Sequence, residues 1–142
     1  MVGAAGVAGG VELAVARDRL GLSQSDLTRV LGVGARSVRR WEMGEDLVPA
    51  GVWETLDALR AEHDETVREL SAAVRVVDGA AVLEVPLHGG DPAVFRPRAW
   101  FVGAVRRLLD GSGPEDVDPA VLDGVALRWG LPEGTSAAAL PG

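Results

Sequence analysis

The sequence contains no cysteine, which excludes disulfide bonds, a catalytic thiol and thiolate metal sites. Lysine, isoleucine, asparagine and tyrosine are absent too, a bias that we attribute to a G/C-rich gene and not to function. No apolar run approaches the roughly 18 residues of a membrane span. The apolar start, MVGAAGVAGG, lacks the basic leader of a signal peptide. We therefore expect a cytoplasmic protein.

Charge is distributed unevenly along the 142 residues, whose formal net charge is -7. Residues 11–44 hold six arginines and four acidic residues, whereas residues 45–75 hold three and eight, and residues 76–142 hold five and nine. The overall balance argues against nucleic acid as a partner, because such proteins usually carry a basic surface. Positive charge is nevertheless concentrated near the front of the chain.

Three short helices are predicted in the first third of the chain. The first covers residues 11–20, where apolar residues recur three and four apart. The second begins after Ser23, a residue suited to an N-cap, and ends at Gly32. The third runs over residues 35–43 and ends before a glycine. The residues of this region that we assign wholly to the core are Leu27, Leu31, Val38 and Trp41.

The remainder is predicted to contain more helix and little strand. Apolar residues at spacings of three and four predict one long helix over 52–74, or two helices with a kink. A strand is expected over 82–87, and Pro86 limits it to the edge of a sheet. Another amphipathic helix is predicted over 98–109. A last short helix is expected from its cap Asp118, with the apolar face Val121, Leu122, Val125, Ala126 and Trp129.

The segment LGLSQSDLTRVLGVGARSVRRWEMGE, residues 20–45, resembles the lambda-repressor-like helix-turn-helix of the XRE or Cro family. Two positions depart from the family pattern: Thr28 replaces a small alanine, and Gly34 replaces the usual Ser or Thr cap of the third helix. The positions that match the pattern are Leu20, Ser23, Gln24, Leu27, Leu31, Gly32, Val33, Val38, Trp41, Glu42 and Gly44.

This resemblance implies a mainly α fold in which an N-terminal helix-turn-helix bundle precedes a long helix and a small C-terminal α(+β) dimerisation region. The expected layout is a flexible tail over 1–10, a DNA-binding domain over 11–60, the long helix and dimerisation region over 61–130, and a flexible tail over 131–142. A weaker resemblance, over residues 36–110, is to anti-CRISPR-associated and phage-type regulators. It implies autorepression of the operon and binding to the operon's RNA as an alternative.

In the family, the start of the second helix and the outward positions of the third face DNA. On this sequence those positions are Gln24, Ala35, Arg36, Ser37, Arg39 and Arg40. Arg36 and Arg40 lie four apart and are the expected base readers, since arginine can donate two parallel hydrogen bonds to guanine. Arg39, Ser37 and Gln24 are expected on phosphates. The competing interpretation is a merely solvated helix face.

An acidic protein with one reading head attracts DNA weakly, so we expect a homodimer on an inverted repeat. Its interface would come from the helices over 52–74 and 98–109, unless these pack on each other within one chain. The runner-up function is an antitoxin-like protein-interaction module whose acidic part binds another protein. His63 is expected to be a satisfied or interfacial histidine and not a metal ligand, and His88 with Asp91 a turn. No cofactor, metal or enzymatic activity is expected, and Glu42 is expected to pair with a neighbouring arginine and not to contact DNA.

Overall fold

A computed structural model describes residues 9–87 and 96–130. Within those ranges the chain forms five helices and one three-stranded sheet, which confirms the mainly α fold with a small β part. The elements are α1 (Gly10–Arg19), α2 (Gln24–Leu31), α3 (Ala35–Glu42), α4 (Ala50–Ala72), β1 (Arg75–Val77), β2 (Ala80–Pro86), α5 (Arg98–Asp110) and β3 (Ala126–Gly130). None of the helices in the described ranges has the length and apolar character needed to cross a membrane.

The chain divides into two compact units, Met1–His63 (unit 1) and Asp64–Gly142 (unit 2). The boundary falls within α4, which is one continuous helix of 23 residues. The sequence expectation of a single long helix at this position is therefore confirmed, and the alternative of two separate helices is wrong.

The short helices of unit 1 begin and end at residues whose backbone or side chain suits those places. The Ser23 hydroxyl accepts a hydrogen bond from the Asp26 N–H (3.0 Å), and the Asp26 carboxylate accepts one from the Ser23 N–H (2.9 Å). This capping box satisfies two amides that the start of α2 leaves without helical partners. Gly32 ends α2 at φ 68°, a left-handed conformation that glycine adopts without strain, and Gly34 is the N-cap of α3.

The core of unit 1 forms where α3 packs against both α1 and α2. Leu27, Val38 and Trp41 are buried as the sequence predicts, but Leu31 is only half-buried, so its assignment wholly to the core is wrong. Leu31 is the last residue of α2, next to the exposed Gly32, where the turn leaves part of its side chain open to solvent. The other core residues of this unit are Leu13, Leu20, Leu22, Val48, Val52, Leu56 and Leu59.

The start of α1 is packed against backbone, not free. Gly10 is the first residue of this helix and is buried, so the predicted flexible tail over 1–10 is wrong at this position; residues 1–8 lie outside the described residues. A Cβ at Gly10 would lie 2.7 Å from the carbonyl oxygen of Glu42 and 2.8 Å from that of Trp41. Only a glycine lets the end of α3 approach α1 so closely.

In unit 2, α4 is followed by a β-hairpin that was not among the sequence predictions. β1 and β2 are antiparallel, with Val77 opposite Ala80, so the two residues between them form the connection. Asp78 and Gly79 both have positive φ, 51° and 82°. This is the backbone of a two-residue turn whose twist matches that of the strands, and Asp-Gly is one of its preferred pairs.

β2 is the central strand of the sheet, which has the order β1-β2-β3. The prediction of an edge strand was therefore wrong, although a strand does occupy this stretch. Pro86 is tolerated because it is the last residue of β2, and because β1 pairs only with residues 80–82. At Pro86 the strand has β3 on one side and no strand of the described chain on the other, so the missing N–H disrupts little.

The last predicted helix is absent, and the segment forms turns followed by β3, which runs parallel to β2. Asp118 does cap a turn, since its carboxylate accepts a hydrogen bond from the Ala120 N–H (2.9 Å). The turns do not propagate into a helix, because Gly124 takes a φ of 73°. Pairing with β2 then satisfies the backbone of Ala126–Gly130 and outweighs the helical spacing of the apolar residues.

The core of unit 2 lies between the sheet, α5 and the C-terminal part of α4. Trp100 is 1% exposed, and its indole N–H donates to the Thr66 hydroxyl (3.0 Å), so α4 and α5 pack on each other here, as the intrachain alternative proposed. α5 confirms the helix predicted over 98–109 and ends at Gly111. The buried members of the core are Val67, Leu70, Leu83, Val85, Ala104, Val105, Leu108 and Leu122.

Replacing Gly10 with alanine is expected to destabilise unit 1 by about 1–3 kcal/mol, because the added methyl group can be accommodated only if backbone moves. The free energy of unfolding in urea, followed by circular dichroism, measures the loss. The matched control is Gly51→Ala in α4, where a Cβ would meet nothing within 4 Å. That helical replacement is expected to stabilise the protein by about 0.5 kcal/mol, so equal effects of the two changes would contradict the close packing.

Candidate nucleic-acid interface

The five predicted reading positions of the third helix all fall on α3. Ala35, Arg36 and Arg39 are exposed, and Ser37 and Arg40 are half-buried. The opposite side of the helix is the buried side that faces α1 and α2. The structure therefore brings these five residues together on one short helix that presents its polar side to solvent.

Arg36 and Arg39 make no hydrogen bond or ion pair with any residue of the described ranges. Both guanidinium groups keep their full set of donors, which suits them to an external acceptor such as a phosphate or a base edge. Arg36 and Arg40 are separated by one helical turn and share a side of α3, as the sequence predicts.

Arg40, by contrast, already has carboxylate partners. Its Nε and Nη2 donate to the two carboxylate oxygens of Asp46, at 2.7 and 3.2 Å, and its Nη1 lies 3.2 Å from a carboxylate oxygen of Glu45. The hydrogen bonds from Arg40 lower the pKa of Asp46, and the charges of Arg40 and Arg36 act in the same direction. An external acceptor must therefore either bind Arg40 beside these carboxylates or displace them.

The backbone after α3 explains why Arg40 is paired. The N–H groups of Glu45 and Asp46 both point to the carbonyl oxygen of Arg40, at 2.9 and 3.4 Å, across the turn at Gly44, which has a φ of 75°. This return of the chain places two carboxylates beside the arginine. This pair was not predicted, because Glu45 and Asp46 belong in sequence to the acidic segment that follows. The signal for it was a helix-ending glycine followed by two acids.

Gln24, the sixth predicted position, is the first residue of α2 and is half-buried. Its side-chain amide donates to Glu42 Oε1 at 3.0 Å. The same carboxylate accepts hydrogen bonds from Nε and Nη2 of Arg17, at 2.7 and 3.0 Å. Gln24 is thus bound to the end of α3 through one amide hydrogen, and its second amide hydrogen remains for another acceptor.

Glu42 does pair with an arginine, but the partner is Arg17 on α1, 25 positions away, and not a neighbour in sequence. The Glu42 side chain is 7% exposed and that of Arg17 is 18% exposed. Burial alone would raise the pKa of Glu42, but the hydrogen bonds from Arg17 and Gln24 outweigh burial and lower it. Glu42 therefore stays ionised and holds α1, α2 and α3 together.

The other candidate residues provide no second site in the described part of the chain. His63 is 1% exposed, on α4, and has an interaction partner, as expected of a satisfied histidine. His88 and Asp91, predicted to form a turn, lie outside the described residues. Within residues 9–87 and 96–130, no three histidine, aspartate or glutamate side chains are grouped as a metal ion would require.

Replacing Glu42 with glutamine is expected to lower the free energy of unfolding by about 2 kcal/mol at neutral pH, because Arg17 loses its charged acceptor in a mostly buried place. The lowered pKa means that the pair contributes fully above about pH 4.5, the ordinary value for glutamate, and that the contribution is lost as the pH falls through the folded-state value. Urea unfolding between pH 7 and pH 3 should thus show a weaker acid dependence for the variant.

The control for that measurement is Asp57→Asn, which removes an exposed carboxylate 3.8 Å from Arg60. This exposed pair should contribute less than about 0.5 kcal/mol. A loss at Asp57 as large as the loss at Glu42 would contradict the structural role of the Glu42 pair.

Comparison with known proteins does not assign the chain to a family. No protein-family model matches it, and no solved structure matches it. A stretch of 78 residues is 36% identical to part of an arginine–tRNA ligase from Methylobacterium nodulans, covering 49% of this chain and 13% of the ligase. The chain thus spans only a small part of that enzyme's length, and the likeness shows neither a shared family nor a shared activity.

Proposed function

We propose that the protein is a sequence-specific double-stranded DNA-binding transcriptional regulator of the lambda-repressor-like, XRE or Cro, type, in which α2 and α3 form the helix-turn-helix. It acts in the cytoplasm as a homodimer on an inverted-repeat operator and represses its own operon. It is a binding protein and has no catalytic role.

One observation carries this proposal: Arg36 and Arg39 are exposed on α3 and have no ion-pair partner in the described ranges, in a chain whose net charge is -7. An acidic protein offers many carboxylates with which an arginine can pair, so two unpaired arginines on one helix are available to an external anion. The buried opposite side of α3 fixes the direction in which they point. A duplex groove supplies both phosphates and guanine acceptors for such a helix.

The six positions divide by what each can contribute. Arg36 is the base reader, since it is exposed, unpaired and near the start of α3. Arg39 and Ser37 contact phosphates, and Gln24 does so through its second amide hydrogen. Ala35 lets the helix approach closely. Arg40 reads a base while Asp46 holds it from the side, because the Nε and Nη2 edge faces Asp46 and hydrogens on Nη1 and Nη2 remain for a base.

A dimer follows from the weak positive charge of a single helix-turn-helix. The exposed cluster around α3 contains three arginines and the two carboxylates of Glu45 and Asp46, so its net charge is only +1. Few phosphate contacts give weak binding, and two heads on half-sites about one helical turn apart double them. The antitoxin-like interaction module and binding to RNA of the same operon are the alternatives.

The test begins with the genomic fragments that the purified full chain retains, which we expect to share an inverted repeat containing G·C pairs. Arg36→Ala is expected to weaken binding to the selected site by about 1–3 kcal/mol, or roughly 5- to 150-fold, because a bidentate contact to guanine is lost. Discrimination at one base pair should be lost with it. Fluorescence anisotropy with labelled duplexes measures both quantities.

The matched control is Arg60→Ala, which removes the same charge from an exposed position on α4, away from α3. It should change affinity less than about twofold at moderate salt. If both variants lose the same affinity for the selected site, Arg36 acts only through its charge and does not read a base. If the purified chain retains RNA stem-loops or a partner protein and no DNA duplex, the corresponding alternative replaces the proposed function.

Asp46→Asn tests the contribution of the acid beside Arg40. The variant loses a carboxylate that repels phosphate, so affinity for arbitrary duplex DNA is expected to rise about threefold at low salt. The preference for the selected site over arbitrary DNA should fall, because Arg40 is no longer held in one orientation. Asp57→Asn, which removes the same charge on α4, should do neither. Weaker binding of Asp46→Asn to arbitrary DNA would contradict this assignment.

A further inference from the structure

An open groove of about 460 Å³ lies in unit 2, beside α5 and over the strands β2 and β3. Its volume is within the range of pockets that bind small organic molecules. The apolar residues that line it are Val85, Val102, Val105, Leu109, Leu127 and Trp129. They belong to elements that also form the core of this unit, so the groove is built on a packed scaffold.

Part of this lining exposes apolar surface to water. Val102, Leu109 and Leu127 are 38%, 61% and 43% exposed, respectively. Val102 and Leu109 are two helical turns apart and lie on the outer side of α5, whereas Trp100, Ala104 and Leu108 fill the core. α5 therefore has a second apolar stripe that residues 64–87 and 96–130 of unit 2 leave exposed, and covering it would gain free energy.

Two arginines, Arg106 and Arg128, also line the groove. Arg128 is paired: its Nη2 donates to Glu84 Oε1 at 2.9 Å, and the same oxygen accepts from Arg75 at 2.6 Å. Arg106 is exposed and makes no hydrogen bond, ion pair or ring contact with the described residues. Its guanidinium group is thus available beside an apolar wall.

Arg106 is exceptional in unit 2, where the other described arginines all have partners. Hydrogen-bonded ion pairs hold Arg68, Arg75, Arg107 and Arg128, and rings of tryptophan lie under Arg96 and Arg98. Hydrogen bonds from Ser112, one of them from its backbone N–H (2.9 Å), lower the pKa of Asp110, one turn after Arg106, and the charges of Arg106 and Arg107 act in the same direction. No hydrogen bond or ion pair joins Arg106 to that carboxylate in the described chain, so its guanidinium donors remain available to an anion.

We propose that this groove binds an organic anion with an apolar tail, of the class of medium-chain or aromatic carboxylates. The tail lies along Val102, Val105 and Leu109, under Leu127 and Trp129. The carboxylate accepts two hydrogen bonds from Arg106, the fork geometry that arginine and carboxylate prefer. A tail of about ten carbon atoms fits a groove of this size. This site goes beyond the proposed DNA-binding function and would serve that regulator as an effector site.

A second copy of the chain suits the groove less well. A twofold interface brings the same surface from both copies together, so it would contain the positive charges of Arg106 and Arg128 twice. Like charges at an interface are costly unless acids accompany them. Arg128 already shares its acid, Glu84, with Arg75. An anionic ligand supplies the missing negative charge, whereas a second copy adds positive charge.

The experiment titrates the full chain with sodium decanoate by isothermal calorimetry, and with decyltrimethylammonium, which has the same tail and the opposite charge. We expect saturable one-to-one binding of decanoate and at least about tenfold weaker binding of the cation. In heteronuclear NMR spectra the indole signal of Trp129, identified with Trp129→Phe, should shift on adding decanoate, and that of Trp41 in unit 1 should not.

Arg106→Gln is expected to weaken decanoate binding about tenfold, while Arg60→Gln on α4 leaves it unchanged. Leu109→Glu places a carboxylate on an already exposed position of the groove and should abolish binding with an unaltered circular dichroism spectrum. Arg106→Gln weakens binding by removing a cation, whereas Leu109→Glu prevents it by adding an anion. If one of the two variants does not fold, the other still tests the site.

Three results would overturn the proposal. One is the absence of decanoate binding and of any Trp129 shift up to millimolar concentration. Another is equal decanoate affinity in Arg106→Gln and the wild type. The third is light scattering that shows a dimer which Leu109→Glu converts to a monomer and decanoate leaves intact, since a second copy would then occupy the groove. None of these measurements uses DNA, so they can exclude the ligand site without bearing on the proposed DNA-binding function.

Discussion

The carboxylate of Glu42, at the last residue of α3, accepts hydrogen bonds from Arg17 on α1 and from Gln24 on α2. Burying a charge in this way is costly unless every acceptor position is used, and here three donors share two oxygens. The contact fixes the end of α3 relative to both neighbouring helices. Gly10 reinforces it, because the absence of a side chain there lets α1 lie against the carbonyl groups of the same turn. The outward direction of Arg36 and Arg39 depends on this arrangement.

The arginines of the chain differ in what they do, although their side chains are identical. Arg17 is part of the core of unit 1, and Arg107 is held by Asp64 on α4 at 2.6 Å. Arg40 is tied to carboxylates that its own helix end brings back. Arg19, Arg36 and Arg39 in unit 1 and Arg106 in unit 2 have no hydrogen bond, ion pair or ring contact with the described residues, and the proposals about ligands rest on the last three. In an acidic protein, an arginine that stays unpaired is more informative than one that is merely exposed.

Local patterns predicted the helices well, because capping residues, glycines and three-four spacing act within a few residues of chain. Ser23, Gly32 and Gly44 mark helix ends in the sequence and in the structure. The hairpin at Asp78 also had a local signal, the Asp-Gly pair, which was overlooked. Of the candidate site, the side of α3 that faces solvent could be predicted from Val38 alone, as it marks the buried side.

What sequence reasoning could not supply was pairing between distant segments. The apolar residues before Trp129 fit a helix as well as a strand, and only the presence of β2 decides between them. Pro86 alone predicts an edge strand, because nothing local to it predicts β1, which pairs only with residues 80–82. Likewise, the closeness of Asp46 to Arg40 depends on how the chain returns after Gly44, and the groove beside Arg106 exists only once β3 is in place.

The register that sets Val82 opposite Ala126 has a consequence for how the protein acquires its structure. The hairpin of β1 and β2 closes over two residues, whereas β2 and β3 are separated by the whole of α5 and its flanking segments. Closing the longer loop costs more chain entropy before any contact compensates for it. Contacts of high sequence separation slow folding, so unit 2 should fold more slowly than the locally connected helices of unit 1. During synthesis on the ribosome, the front of the chain can reach its final form while the sheet still awaits its third strand.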